Sequence, residues 1–499
     1  MTAFDLETYR QRSEAFTGEL DAEYYRHFAG LKADCDLSAI YDRYPELFTR
    51  PAVDTLTELY AATEGPQKKP LAFLLDFAID GFMGEQTKEL TDEIANLEGG
   101  LTINFDGEEV GYRQSSVVLA NEPDAARRRQ LYEARLEATR TQLNPRYNES
   151  WQVQHDLARE LGYADYADLY SEVRAVDFSM LRAVTDSFLQ ETEGVYQRSL
   201  DKLLAATMGS SLDKVHYCDL AYLMRAPQFD DIFGGDRLLG TFDHLLADMG
   251  ISLKGQANIH VDAAARDGKS PRAFCAPVHV PDEIYLVVMP KGGQDDYGAL
   301  LHEGGHAEQF AHIRRDLPFE YRYLGDNAIN EGFAFLFEHL LFNPRWLERY
   351  LDFTDSGEFL TFAAIVELYF LRRYAGKLAY EVELHAQTGS LDACAQTYGR
   401  LLTEAVQVAT PEDNYLTDVD LGFYCSSYLR AWMLEGALRM LFQDRFGMEW
   451  FRDPEAGAWL KELWSHGQEF SAEQLLLKNG GGKLDMGPLK LHLERALGR

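Results

Sequence analysis

The sequence predicts a mainly α protein with one small β region, and three observations carry that expectation. Apolar residues recur at spacings of three and four between charged ones along most of the chain, as in Leu131-Tyr132-Glu133-Ala134-Arg135-Leu136 and Ile365-Val366-Glu367-Leu368-Tyr369-Phe370-Leu371, the period of an amphipathic helix. Only 16 prolines and no low-complexity stretch or internal repeat interrupt the 499 residues, so helices can run long. The exception is Arg272 to Met289, where two apolar runs, Ala273–Val280 and Ile284–Met289, flank the turn signal Pro281-Asp282-Glu283 and read as a β-hairpin.

Composition narrows the function classes. The chain is 46% hydrophobic and 12% aromatic, enough for a large core or for two lobes around a cleft. Lysine and arginine number 48 against 81 acidic residues, a net charge of −33, so the surface repels phosphate backbones and anionic membranes, and nucleic acid is not expected as a partner. The start, Met1-Thr2-Ala3-Phe4-Asp5-Leu6-Glu7, resembles neither a signal nor a transit peptide. No apolar run reaches bilayer length, Leu71–Phe77 being broken by Asp76 and Ile284–Met289 being short. A cytoplasmic protein with no membrane partner is expected. Cys35, Cys218, Cys275, Cys394 and Cys425 lie far apart with no C-x-x-C pair, which predicts reduced thiols rather than a disulfide scaffold or a thiolate metal site.

After a glycine-bearing loop, Lys291-Gly292-Gly293, and acidic helix-start residues, Asp295-Asp296, comes His302-Glu303-Gly304-Gly305-His306. Two imidazoles four residues apart share one helix face and can hold one ion. Glu303, offset to the side, is placed to take a proton from an attacking water and pass it to a leaving amine. Tyr297-Gly298-Ala299-Leu300-Leu301 and Ala307–His312 continue the helical pattern on either side. The two glycines each cost roughly 1 kcal/mol of helix propensity, so they are expected to let a backbone or a substrate come close.

A zinc site of this kind needs a third protein ligand. In Ile329-Asn330-Glu331-Gly332-Phe333-Ala334-Phe335-Leu336-Phe337-Glu338-His339-Leu340 the residues Ile329, Phe333, Leu336, Phe337 and Leu340 make a buried stripe, while Glu331 and Glu338 share another face. Glu331 is expected as the third ligand, and Glu338 as the group that orients a ligating histidine. His312 and His339 are expected to be packing or surface histidines. Two imidazoles and a carboxylate suit zinc.

These residues resemble the thimet oligopeptidase and oligoendopeptidase F family of zinc metallopeptidases, gluzincins with a helical, two-lobed shell around a deep channel. That family carries its third ligand as a glutamate some 25 residues after the second histidine, with another acidic residue seven positions on, matched by Glu331 and Glu338. Phe274-Cys275 is similar to its strand step before the zinc helix, and Asp295-Asp296 to its acidic helix start. Ala158–Tyr166 resembles its amino-terminal helical region, and Leu475–Lys478 with Asp485–Pro488 its closing segment. Together these cover most of the chain from about residue 100 onward.

The resemblance implies one peptidase unit over 1–499, with a helical lobe over 1–250 and a zinc-containing lobe, with a small sheet beside the zinc helix, over 251–499. It implies short unfolded peptides as substrates, held by strand addition along Phe274, Cys275 and Ala276, and tyrosines that donate to the oxyanion, matched by Tyr424 and Tyr428. The pattern departs where the family has a histidine before those tyrosines, since this chain has Asp418 or Asp420, which cannot donate when ionised. Two alternatives stay open at this point. A carboxypeptidase or dipeptidyl carboxypeptidase of the same chemistry would need a cation for the free carboxylate, with Arg314, Arg315, Arg322 and Arg430 as candidates, and a homologue without turnover would only bind peptides.

Overall fold

The computed structural model describes residues 4–498. Helix accounts for 69% and strand for 5%, so the fold is mainly α, and no described helix is long and apolar enough to cross a membrane. All five cysteines are free thiols.

The chain divides into two compact units, each discontinuous in sequence. One gathers Met1–Phe82, Pro227–Leu360 and Arg430–Leu489, the other Met83–Ala226, Thr361–Leu429 and Lys490–Arg499. This differs from the expected boundary near residue 250, because local periodicity says which segments are helices and not which of them share a core.

The first unit holds the larger sheet. The expected hairpin forms from β4 (Phe274–His279) and β5 (Glu283–Val287), with β3 (Ile259–Asp262) added in parallel on the far side of β5, giving the order β3-β5-β4. The strand β3 was not foreseen, its four residues being too few for alternation to register. Central β5 buries Ile284, Leu286 and Val287 completely, which leaves β4 as an edge. The helix Leu6–Phe28, capped at its start by Asp5, lies along β4: a Cβ on Gly18 would stand 2.8 Å from the Val278 carbonyl oxygen.

The second unit is helical apart from the hairpin of β1 (Thr102–Phe105) and β2 (Glu108–Gly111), turned at Asp106-Gly107 with both residues at positive φ, the conformation that Asp-Gly accommodates. Ile103, Phe105, Tyr112, Leu119, Leu131 and Leu143 form an apolar cluster there. Nearby, Arg128 and Asp219 make a buried ion pair at 2.8 Å.

Elsewhere in this unit His155 Nε2 and His385 Nδ1 lie 2.9 Å apart in a buried hydrogen bond, packed on Trp151, Tyr166 and Phe423. Burial first, then Arg159, pushes His155 down to about 4, against the opposing pull of Asp165 and Asp156, and burial also depresses His385. Below the usual histidine pKa of about 6.5 the unfolded chain takes up a proton that folded His155 refuses, so stability falls as pH drops from about 6.5 towards 4. We expect the urea midpoint to fall between pH 7 and pH 4.5, and to fall less in a His155→Gln chain. Parallel pH profiles for the two chains would remove the histidine pair as the cause.

Candidate metal centre

The helix Gln294–His312 begins after Gly293, and Asp296 turns back so that its carboxylate accepts the amides of Lys291 and Gly292 at 2.6 and 2.8 Å. Its glycines have separate partners. A Cβ on Gly304 would overlap the Phe242 ring, and one on Gly305 would stand 3.0 Å from the Ala334 Cα and 3.3 Å from the Phe333 carbonyl oxygen. Gly305 therefore lets the backbone of the helix Asn327–Glu338 lie directly against the histidine helix, and that approach sets the reach from imidazole to carboxylate.

Across this contact, His302 Nε2 lies 3.2 Å and His306 Nε2 3.7 Å from the same Glu331 oxygen. All three donors lie within 4.8 Å of one another. With ligand bonds of about 2.0–2.1 Å, the edge of a tetrahedron around zinc is about 3.3 Å, close to the two imidazole–carboxylate distances of 3.2 and 3.7 Å. The longer of the two distances exceeds hydrogen-bond range. The rings stand edge to face at 84°.

The surroundings fix these donors. Glu338 Oε2 lies 2.9 Å from His302 Nδ1, which holds the ring with Nε2 facing Glu331, where its lone pair becomes available once the proton is lost. Phe335 meets the His302 ring edge-on at 5.2 Å, and Trp432 stacks on Phe335 at 4.9 Å. Asp326 caps the start of the glutamate helix and is gripped by Arg430 at 2.6 and 2.7 Å. Burial opposes charge at both His302 and Glu331. It is outweighed at His302 by Glu331 and then Glu338, which raise the imidazole well above its usual range, and at Glu331 by His302 and then His306, which hold the carboxyl far below its own. The pocket is thus built to stabilise positive charge, which a divalent cation supplies on displacing the proton.

Glu303 points to the side of this cluster and accepts the Cys275 amide at 2.9 Å on Oε2. Because the Cys275 amide faces Glu303, the Cys275–Leu286 pair of the ladder is the one without mutual hydrogen bonds, and Phe274 and Ala276 turn their backbone groups to β5. This modifies the expectation of strand addition along Phe274, Cys275 and Ala276. Of the three, only Cys275 presents its backbone outward, its amide is engaged by Glu303, and the next outward residue, Pro277, has no N–H.

Tyr424 and Tyr428 open the helix Tyr424–Phe446 and belong, as far as Leu429, to the second unit. They are half-buried with rings 5.1 Å apart, and Tyr374 lies 5.5 Å from Tyr428. In the same unit Asp418 is held by Arg373 at 2.6 Å and the Tyr398 hydroxyl at 2.7 Å, and Asp420 by Lys377 at 2.7 Å. Burial pushes the Asp418 carboxyl up, but Arg373 and Lys377 keep it below its usual value. Both aspartates thus balance buried cations rather than stand in for a histidine donor.

Glu381, Asp420 and Cys425 also lie close enough to surround an ion. The Lys377 ammonium already serves Asp420, and the Cys425 thiol donates to Glu381 at 3.1 Å. Burial pushes Glu381 up to about 8 and the thiol well above its ordinary value, which favours protonated forms that do not ligate.

No protein-family model matches the chain, and no curated protein matches it. The resemblance to the gluzincin peptidases thus rests on the residues themselves.

His312 is a packing residue, bonded through Nδ1 to the Glu308 carbonyl oxygen at 2.7 Å and lying on Trp464. His339 is buried beside Arg439. Sequence reasoning missed Asp326, Phe335 and Trp432 as supports of the centre. Asp326 carried a signal, an aspartate directly before an apolar helical run, whereas the two aromatics read only as core.

Proposed function

We propose that the chain is a zinc-dependent metallopeptidase that hydrolyses bonds within short unfolded peptides, with His302, His306 and Glu331 as metal ligands and Glu303 as general base. The observation that carries this reading is the convergence of the three donors within 4.8 Å with Glu303 on the same helix beside an edge strand. A bound zinc ion would supply Lewis-acid activation of water and of the scissile carbonyl. Glu303, with one oxygen anchored on the Cys275 amide, keeps the other to accept the proton of the attacking water and to return it to the departing amine. Glu338 holds the His302 ring through Nδ1, and Gly305 keeps the two ligand-bearing helices at their spacing.

Tyr424 and Tyr428 are proposed as donors to the oxyanion. A two-lobed shell around a channel, which would exclude folded proteins, belongs to the same proposal. So does a cytoplasmic setting, supported by five free thiols.

The endopeptidase form is favoured over a carboxypeptidase because each arginine considered for a free carboxylate already serves an acid. Arg314 pairs with Asp316 at 3.1 Å, Arg315 with Asp282 at 2.7 Å, Arg322 with Glu14 at 2.6 Å, and Arg430 with Asp326 and Glu473 at 2.6 and 2.9 Å.

Metal analysis is expected to find about one zinc per chain. A chelator is expected to abolish cleavage of quenched-fluorescent peptides, and added zinc to restore it. A carboxy-amidated peptide should be cut as fast as its free-acid twin, whereas loss of cleavage on amidation would mean carboxypeptidase action. A zinc-loaded chain that cleaves nothing in a diverse peptide library would refute the enzyme and leave a peptide-binding protein.

A further inference from the structure

The helix Leu6–Phe28 brings to the edge strand a carboxylate for which the described residues offer no partner. Near its middle Gly18 touches the Val278 carbonyl, further on Tyr25 stacks on Tyr285 with 3.8 Å between centroids, and at its end Phe28 meets Phe274 at 6.1 Å. The helix therefore runs antiparallel to β4. Asp21 follows Gly18 by three residues and precedes Tyr25 by four, so it shares their face. With about 1.5 Å of rise per helical residue against about 3.3 Å per strand residue, it stands opposite Ala276 and Pro277.

Its charge acts on the residues of that edge. The Cys275 thiol is pushed up by burial and then by the charges of Glu303 and Asp21, so both carboxylates flank that residue. The Tyr323 phenol, bonded to the Val280 amide at 2.8 Å, also feels Asp21. Asp21 makes no hydrogen bond or ion pair among the described residues, whereas its neighbours on the helix are served, Glu19 by Arg43 and Glu23 by Lys32 at 2.5 Å. Burial alone pushes its carboxyl up to about 7. A hemmed-in carboxylate is costly unless a cation answers it, and Asp21 as a residue is partly exposed.

We propose that Asp21 receives the positive charge of a substrate, an ammonium or guanidinium group on a peptide bound near Cys275 and Glu303, and so selects cationic peptides; this rests on the peptidase reading. The cation comes either from a basic side chain or from the peptide amino terminus.

The test uses fluorescence anisotropy in a Glu303→Gln background, where bound peptides are not consumed, together with kcat/KM in the chain that retains Glu303. Asp21→Asn is expected to weaken binding of a lysine or arginine peptide by about tenfold, the scale of one hydrogen bond to a charged group. Norleucine and citrulline twins with acetylated amino termini should bind unchanged. Comparing free with acetylated amino termini tells which source supplies the cation. In turnover the loss should fall on KM, with kcat kept. Equal effects on cationic and neutral twins, or no effect on either, overturn the proposal. Cleavage that ignores peptide charge would uphold the peptidase reading and reject the role of Asp21, while charge-selective binding with no cleavage of any peptide would do the reverse.

Discussion

Replacing Glu303 by glutamine is expected to lower kcat by about 10²- to 10⁴-fold, the range for losing a positioned general base, while zinc content and KM stay near those of the unaltered chain. The amide has almost the shape of the carboxylate, and its carbonyl oxygen can still accept the Cys275 N–H, now 2.9 Å from Glu303. The helix and β4 should therefore keep their spacing. Only proton acceptance is removed, so kcat/KM should fall as far as kcat. Steady-state kinetics alongside metal analysis reads both quantities. Unchanged turnover with zinc retained would mean that another group takes the proton and that the proposed mechanism is wrong.

The second large effect concerns the ion itself. Glu331→Gln replaces a charged donor at the point where both Nε2 atoms converge, at 3.2 and 3.7 Å, and it leaves a neutral amide between two imidazoles. We expect zinc affinity, measured by competition with a chromogenic chelator, to fall by more than the roughly 10- to 100-fold expected for Glu338→Gln, which touches only a ligand's outer nitrogen. Circular dichroism should show the helices intact, because Glu331 sits at the contact of two helices that the aromatic packing of Phe333 and Phe337 on Trp464 also supports. Wild-type affinity in Glu331→Gln would remove this carboxylate from the ligand set.

The parts of this protein that could be read from its residues are those governed by short-range periodicity. The spacing of four between His302 and His306 fixes their common face, and the spacing of seven between Glu331 and Glu338 does the same on the partner helix. The turn at Pro281-Asp282-Glu283 announced the β4–β5 hairpin in the same way. What stayed hidden depends on contacts remote in sequence. The glycine cost in the histidine helix was visible, but the Phe242 ring and the Ala334 backbone that require those glycines were not. Asp21 stands in Leu20-Asp21-Ala22-Glu23 as one acid among many, and only the packing of its helix on β4 sets it apart from Glu19 and Glu23. The two units could not be cut from the sequence either, because each is assembled from three separated stretches.

That assembly has a consequence for biosynthesis. The paired helices that carry the imidazoles and the carboxylate lie in Pro227–Leu360, whereas Arg430 and Trp432, which clamp the second of them, arrive with Arg430–Leu489. Translation at about 5–20 residues per second leaves roughly 5–20 s between Glu338 and Arg430 leaving the ribosome. During that interval the apolar flank of Asn327–Glu338 lacks its cover, so a nascent chain has more need of a holding chaperone than one whose core closes in order of synthesis.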